Sequence, residues 1–351
     1  SENGYENSIF YDDEKIKFTK HIFTHEFDEI THDINYSYLN SGKKEKTPVF
    51  DNKTLTKIED FLENKIQITS IEFSEKLEIF HDDIRWFDSK LLDGIDAVLD
   101  LAAISNDPAG DLNPDKTFEI NHMGRVRVAK LSKEHGVKRY ILASSASIYG
   151  QQDQLADEKS SVNPLTAYSK ANRNAEIDTL QLNDDNFTVT ILRFSSVYGK
   201  SPRMRFDTAV NCMVLDLFKN NKIFVRGKSN KRPFIHIKDV VRAYILAIAA
   251  KKDKIGGQIF NVGSEDQNYE MGDLANEITK ICRTKCEIES SDTNDNRSYF
   301  ASFKKIQDVL GFDTNYKIAD GVKEMYESLK TGELTDSVKT RTVEWYKKLL
   351  T

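Results

Sequence analysis

The chain has 351 residues, of which 39% are hydrophobic and 30% charged, and carries a formal net charge of −6. That balance supports a soluble folded core; no run approaches the roughly 18–20 apolar residues of a membrane span, and the acidic excess argues against a generic nucleic-acid surface. Three cysteines, Cys212, Cys282 and Cys286, fit a reducing compartment better than a disulfide framework, and Ser1–Phe10 lacks a charged start with an apolar signal core, so a cytoplasmic protein is expected.

In the N-terminal third, no glycine occurs between Gly4 and Gly42, and Phe23, Phe27, Ile30 and Ile34 recur at helical spacing. His21, His25 and His32 lie near Asp28 and Glu29, but no His-Glu-x-x-His run accompanies them, and no metal site is expected. From Asp83 onward, strands and helices alternate. Ala97–Ala103 reads as a short strand ending in small residues, Pro114–His135 as a helix stopped by Gly136, and Arg139–Ala143 as the next strand. Ala167–Leu182 follows as a helix and Phe187–Phe194 as a strand with β-branched alternation. That order predicts a parallel sheet covered on both faces, with ligand sites at the C-terminal strand ends near Ser144, Ser145 and Ser195-Ser196.

After Gly199 the pattern mixes short elements: strands at Lys231–His236 and Gln258–Val262, and a helix over Met271–Arg283. Cys282 and Cys286 are four apart, a spacing that could share a helix face, and without a local histidine they read as buried packing residues rather than a metal site. The charged tail holds a helical stretch, Ser337–Leu350, whose Val338, Val343, Tyr346 and Leu349 form one apolar stripe expected to dock on its own chain. The division expected is residues 1–199 as a Rossmann-like domain with an atypical start, 200–331 as a substrate-binding lobe with segments returning to the main sheet, and 332–351 as the tail.

Two segments carry the chemistry. The strand at Arg139 ends in Ser144-Ser145-Ala146-Ser147-Ile148-Tyr149-Gly150, and Pro164-Leu165-Thr166-Ala167-Tyr168-Ser169-Lys170-Ala171-Asn172 opens the next helix. They resemble the serine and tyrosine segments of the extended short-chain dehydrogenases, the family that epimerises, dehydrates or reduces sugar nucleotides with NAD. The resemblance implies an α/β, doubly wound Rossmann-like fold with a smaller C-terminal substrate lobe. It also implies that Ser145 hydrogen-bonds the reacting sugar oxygen and Tyr168 takes its proton. A tyrosine with a pKa near 10 is a poor base at neutral pH, and the family lowers it with a lysine one helical turn on. Here Ala171, Asn172 and Ala175 occupy that face, and Asn172 fills the lysine slot. Lys170 points about 200° round the helix, at about 100° per residue, and cannot substitute.

The resemblance extends to the cofactor side, where Asp51 would end the ribose-binding strand, Asp83 and Ile84 would meet adenine, and Ala102 and Ala103 would lie beside the pyrophosphate. Asn121 matches a buried structural asparagine, and Asp100 stands where a histidine is frequent. Laid on Lys20–Ile34, however, the three glycine slots of the phosphate cradle fall on His25, Asp28 and Thr31, which predicts weakened NAD binding. On the substrate side, Arg232 in Lys231–Val240 and Arg297 in Asn296–Tyr299 resemble the family's diphosphate-binding arginines, with Arg203, Arg205 and Asn211 as further contacts. Ala146 and Ser147 occupy the acid slots of the sugar 4,6-dehydratases, which argues against dehydration.

The expectation is therefore a degenerate epimerase-like protein that keeps a nucleotide-diphosphate-sugar pocket while NAD binding and proton abstraction are impaired. It would act as a sugar-nucleotide binder, a homodimer, or the partner of an active relative in a heterodimer. The alternatives are an active NAD-dependent 4-epimerase or C4 dehydrogenase, and a non-catalytic scaffold.

Overall fold

The computed structural model describes residues 8–12, 15–19, 77–78, 80, 82–293 and 295–350. The expected glycine slots at His25, Asp28 and Thr31, the histidine group and Asp51 lie outside the described residues. The strands are β1 (Ser8–Asp12), β2 (Lys15–Thr19), β3 (Leu77–Glu78), β4 (Ala97–Asp100), β5 (Arg139–Ser145), β6 (Thr188–Phe194), β7 (Ser196–Tyr198), β8 (Lys222–Arg226), β9 (Lys231–His236), β10 (Gln258–Val262), β11 (Asn268–Glu270) and β12 (Glu287–Ser291). The helices are α1 (Asp107–Gly110), α2 (Pro114–Phe118), α3 (Arg125–Glu134), α4 (Ala167–Leu180), α5 (Ala209–Asn220), α6 (Ile237–Ala249), α7 (Lys252–Ile255), α8 (Met271–Cys282), α9 (Lys304–Leu310), α10 (Ile318–Lys330) and α11 (Thr342–Leu350).

The main sheet runs β10-β6-β5-β4-β1-β2-β3, and its β4, β5, β6 and β10 strands are mutually parallel, as the alternating pattern predicts. β1 joins antiparallel to both β4 and β2, so the sheet is mixed at that edge. The two-residue period of the strands divides the core. Val98, Tyr140, Leu142, Val189 and Ile191 pack with Val128, Ala129 and Ala175 of α3 and α4 on one face. Leu99, Ile141, Leu192 and Phe194 pack with Val240, Ala243 and Ala247 of α6 on the other. Helices on both faces are what make the sheet doubly wound. A separate core joins α5, α8, α10 and β8 through Val214, Leu217, Ile223, Leu274, Ile278, Val322 and Met325.

Three local details differ from the sequence reading. The helix expected from Pro114 is interrupted by a π-helical turn over Glu119–Gly124, where buried Asn121 exchanges two hydrogen bonds with the Ile104 backbone, at 2.8 and 3.0 Å. Cys282 closes α8 and Arg283 turns left-handed, so Cys286 lies beyond the helix, although both thiols pack against the same core. In the tail, Val343 and Tyr346 pack on the main core as expected, but Val338 stays 37% exposed and Trp345, at 4%, is the buried anchor.

Candidate functional site

Strand β5 delivers Ser144 and Ser145 to the C-terminal edge of the sheet, where a 3-10 turn over Ala146–Tyr149 ends at Gly150. Gly150 has φ +65°, and a Cβ there would strike the Asn163 carbonyl, so the chain needs glycine at this bend. Ser145 Oγ accepts from the Ser147 amide at 3.1 Å and donates to Ser147 Oγ at 3.0 Å. Helix α4 begins with a capping box between Thr166 and Ser169, which fixes where Tyr168 leaves the helix. Gly110 of α1 packs directly under it: a Cβ at Gly110 would come to 2.9 Å from Tyr168 Cβ.

The Tyr168 hydroxyl is pushed above the ordinary tyrosine pKa, first by burial and then by the Asp107 carboxylate. A hydrogen bond with Ser145 and the charges of Arg125 and Arg205 work in the opposite direction. Ser145 and Tyr168, singled out separately in the sequence, thus meet at one place.

Asn172 does fill the slot one turn beyond Tyr168, but a cation faces it. Arg125, fully buried on α3, donates from Nη1 to Asn172 Oδ1 at 2.9 Å, and Asn172 Nδ2 donates back to the Tyr168 carbonyl at 3.0 Å. Arg125 Nε reaches Asp100 Oδ1 at 3.2 Å, and its Nη2 donates to the carbonyls of Asp100 at 3.1 Å and Ala143 at 2.5 Å. Burial alone would lower the Arg125 pKa; the Asp100 carboxylate reverses this, and the guanidinium stays charged. Asp100 also accepts from the Tyr140 hydroxyl and, at 3.1 Å, from the Ala102 amide. The sequence flagged Asp100 as a departure, yet its partner Arg125 went unnoticed because Arg125 and Arg127, alternating with Val126 and Val128 on a helix, read as surface residues.

Glu176, one turn further along α4, accepts bidentately from Arg193, at 2.9 and 2.8 Å, and also from Ser144 at 2.6 Å and Arg173 at 3.0 Å. Arg193 continues to the Tyr149 hydroxyl at 3.0 Å, and Tyr149 reaches Asn261 at 2.8 Å. This chain of bonds underlies the strand end that carries Ser145.

The arginines expected on the substrate side converge. Arg232 Nη2 lies 3.2 Å and Arg297 Nη2 2.6 Å from the same Asp295 oxygen, and Arg297 Nη1 also pairs with Asp107. Asp107 in turn accepts from Thr166 Oγ1 at 2.5 Å, which ties the arginine group to the start of the Tyr168 helix. Burial presses Arg232 below its ordinary pKa and the nearby Arg297 charge adds to that, against the opposing pull of Tyr299, Asp295 and Asp107. Arg297 is raised, because Asp295 and Asp107 outweigh its burial. Arg205 bonds Asp207, at 3.1 and 3.2 Å, and Ser105, placing its charge within reach of Tyr168. Arg203 sits on the same loop and its carbonyl accepts from Ser201 at 2.7 Å. Asn211 is buried and holds that loop, accepting from the Gly199 amide at 3.1 Å and donating to the Arg205 carbonyl at 2.9 Å. Beside Arg125, the sequence reading missed Asp107 and Asp295; each of these two sits beside a resemblance string rather than inside one.

On the cofactor side, Asp83 forms a fork with Arg85, whose Nη1 also pairs with Glu119 at 3.0 Å. Ile84 is buried against Gly124, where a Cβ would meet Ile84 Cδ1 at 2.7 Å. Ala102 is buried and Ala103 partly exposed. Among the described residues, no group of three or more metal-ligating side chains occurs, and no helix is long and apolar enough to cross a membrane.

The model of the NAD dependent epimerase/dehydratase family matches residues 73–263. An uncharacterized UDP-glucose epimerase, YtcB, of Bacillus subtilis is 25% identical over 239 residues, covering 67% of this chain and 74% of its own. UDP-glucuronate 4-epimerase of Thermodesulfobacterium geofontis is 25% identical over 251 residues, covering 70% and 76%. The dTDP-D-glucose 4,6-dehydratase of Mus musculus is 28% identical over 270 residues, covering 72% and 68%. Among solved structures, MoeE5 in complex with UDP-glucuronic acid and NAD superposes with a TM-score of 0.68 at 21% identity, over 79% of this chain and 95% of that one. The UDP-glucuronic acid 4-epimerase of Bacillus cereus, with UDP-glucuronic acid and NAD, gives 0.67 at 24% identity over 75% and 85%. At these identities the superpositions speak to fold alone.

Proposed function

The chain belongs to the NAD dependent epimerase/dehydratase family, and from that premise we propose that it binds a nucleotide-diphosphate sugar while its proton abstraction and hydride chemistry are impaired. The observation that carries this reading is the meeting of Arg232 and Arg297 on Asp295, with Arg297 reaching on to Asp107 beside Tyr168. Two planar guanidinium groups that converge on one carboxylate oxygen and keep some exposure suit the oxygens of a diphosphate. Binding would exchange carboxylate partners for phosphate ones. The sugar would then lie toward Ser145 and Tyr168, with Arg205 at the rim; Arg203 is an added contact, and Asn211 supports the loop. Relatives named for UDP-glucose, UDP-glucuronate and dTDP-D-glucose make these the first ligands to try.

The residues around the lysine slot do not suit a nicotinamide ribose. Asn172 and Arg125 are buried, and both amide atoms of Asn172 are engaged within the protein. No step through NAD is therefore part of this reading, and Tyr168, raised above the ordinary tyrosine value, is a poor base near neutrality. Asp83, Ile84, Ala102 and Ala103 support the fold whether or not adenosine binds. The competing reading, a working 4-epimerase or C4 dehydrogenase, draws on the Ser145–Tyr168 hydrogen bond.

Calorimetric titration with UDP-glucose, UDP-glucuronate, dTDP-glucose and NAD decides between them. Nucleotide-sugar binding abolished by Arg232→Ala or Arg297→Ala, with no heat from NAD, is the expected result. Tight NAD binding would favour the competing reading, and no nucleotide-sugar binding in the parent would leave a scaffold. A second copy of the chain is the proposed partner. The His122–Asp178 contact at 2.6 Å joins the π-turn to α4, and the adjoining Met123 and Ile177 are 55% and 40% exposed. Met123→Glu is expected to shift the sedimentation of a dimer to that of a monomer.

A further inference from the structure

We infer that Arg125 and Asn172 form an exchanged pair: the buried cation facing the slot one turn beyond Tyr168 is carried by α3, and its presence there excludes a lysine at position 172. The inference rests on reading Tyr168 as the residue that faces the sugar, and it makes Arg125 a positioning residue for Tyr168.

The hydrogen bonds are directional. Four N–H groups of Arg125 are used, two on backbone carbonyls, one on Asp100 Oδ1 and one on Asn172 Oδ1. A guanidinium is donor-only, so the neighbour at 172 must offer an acceptor, and an amide does so at no cost in charge. An ammonium is also donor-only. Placed at 172 it would leave two cations together where side chains have no solvent to screen them, beside Asp100, which Arg125 already uses, and Glu176, whose oxygens are taken by Arg193, Ser144 and Arg173. Asn172 is thus more than a lost lysine, because it completes a network that holds β4, β5 and the first turn of α4 in register.

The exchange changes what Tyr168 experiences. Arg125 meets the Asp100 carboxylate through one bond and lies across the Asn172 amide from the Tyr168 carbonyl, so its charge favours a phenolate but does not offset burial and Asp107. Asp107 opposes it from α1, Ser145 and Arg205 assist it from β5 and the 200–208 loop, and the phenols of Tyr244 and Tyr299 lie within electrostatic reach on the remaining sides. The cation keeps its structural place and a part of its acid–base effect, which burial and Asp107 outweigh.

Thermal unfolding and NMR titration of isotope-labelled tyrosine, with Tyr168→Phe for assignment, test the pair. Asn172→Lys alone is expected to lower Tm by roughly 5–10 °C, and Arg125→Met alone by a comparable amount, since each unbalances buried charge. The double variant Arg125→Met/Asn172→Lys is expected to recover most of both losses and to bring the Tyr168 titration below that of the parent. Arg125→Met alone should move it upward. Should Arg125→Met fail to fold, Arg125→Lys preserves the charge and is expected to leave the titration close to the parent's. Additive losses in the double variant, an undiminished Tm in Asn172→Lys, or a Tyr168 titration indifferent to Arg125→Met would each overturn the inference. Nucleotide-sugar binding by the parent is measured separately. Its absence with the coupling intact refutes the proposed ligand and leaves the exchanged pair standing; intact binding with additive losses does the reverse.

Discussion

Two buried arginines grip the same helix one turn apart, and they do so differently. Arg193 meets Glu176 with two parallel bonds, and the remaining lone pairs of the carboxylate are filled by Ser144 and Arg173. Arg125 meets Asp100 through one bond at 3.2 Å and turns its other donors to carbonyls and a neutral amide. The first is a closed ion pair whose geometry leaves nothing for a ligand, and its natural role is to hold the strand end that presents Ser145. The second carries charge that is only loosely balanced, next to the one tyrosine the family's chemistry uses. Burial alone does not separate a rivet from an adapted site; the number of neutralising contacts does.

The sharpest way to break this comparison is to remove charge from the closed pair. Glu176→Gln leaves Arg193 buried without its counter-ion and is expected to cost about 3–5 kcal/mol in denaturant unfolding, while Glu176→Gln/Arg193→Met recovers much of it. A cost below about 1 kcal/mol would mean that the pair is not the rivet its geometry suggests. Next in size is the substrate side, where arginines are also paired with acids but remain partly exposed. Arg297→Ala is expected to weaken nucleotide-sugar affinity by roughly 10- to 100-fold, the value of one or two charge-assisted hydrogen bonds, with a far smaller change in Tm. An equal loss from Arg205→Ala would move the diphosphate toward the 200–208 loop.

The difference between the two arginines also explains what could be read from the sequence. The elements at Ala97, Arg139, Phe187, Lys231 and Gln258 appear where periodicity placed them, since alternating apolar residues on a two-faced sheet leave few other registers. Ser145, Tyr168, Arg232 and Arg297 were singled out because each lies within a string that resembles the family's. Arg125 and Asp107 were not, because their importance arises from partners 25 to 190 positions away: Asp100, Asn172 and Arg297. No local spacing encodes such a contact. Trp345 was missed for a related reason: its burial is decided by where the tail docks, and helical periodicity alone favoured its neighbours.

A smaller effect tests how closely Tyr168 is held. Gly110→Ala would bring a methyl to 2.9 Å from Tyr168 Cβ, a main-chain-anchored atom that cannot swing away. We expect a loss of about 1–2 kcal/mol in stability and a moved Tyr168 resonance, because α1 and α4 must part to admit the group. If the resonance stays in place, the tyrosine is positioned by the Arg125–Asn172 network alone, and the packing of α1 is incidental to it.

The smallest effect comes from a third carboxylate with cationic partners, this time near solvent. Asp336 accepts from Arg341 Nη2 at 2.9 Å and Lys219 Nζ at 2.5 Å, and these bonds outweigh its burial to bring its pKa down to about 2. A carboxyl whose folded value is depressed stabilises the protein above its unfolded value of about 3.9, and the gain disappears as pH falls toward about 2. Solvent around Lys219 and Arg341 screens the pair, so the contribution is expected to be about 1 kcal/mol. Asp336→Asn should therefore flatten the fall in stability between about pH 4 and pH 2 while leaving the slope at neutral pH unchanged. Added salt should do part of the same to the parent, yet leave the Glu176 and Asp100 pairs almost untouched, because ions reach Asp336's partners and cannot enter the core beneath α4.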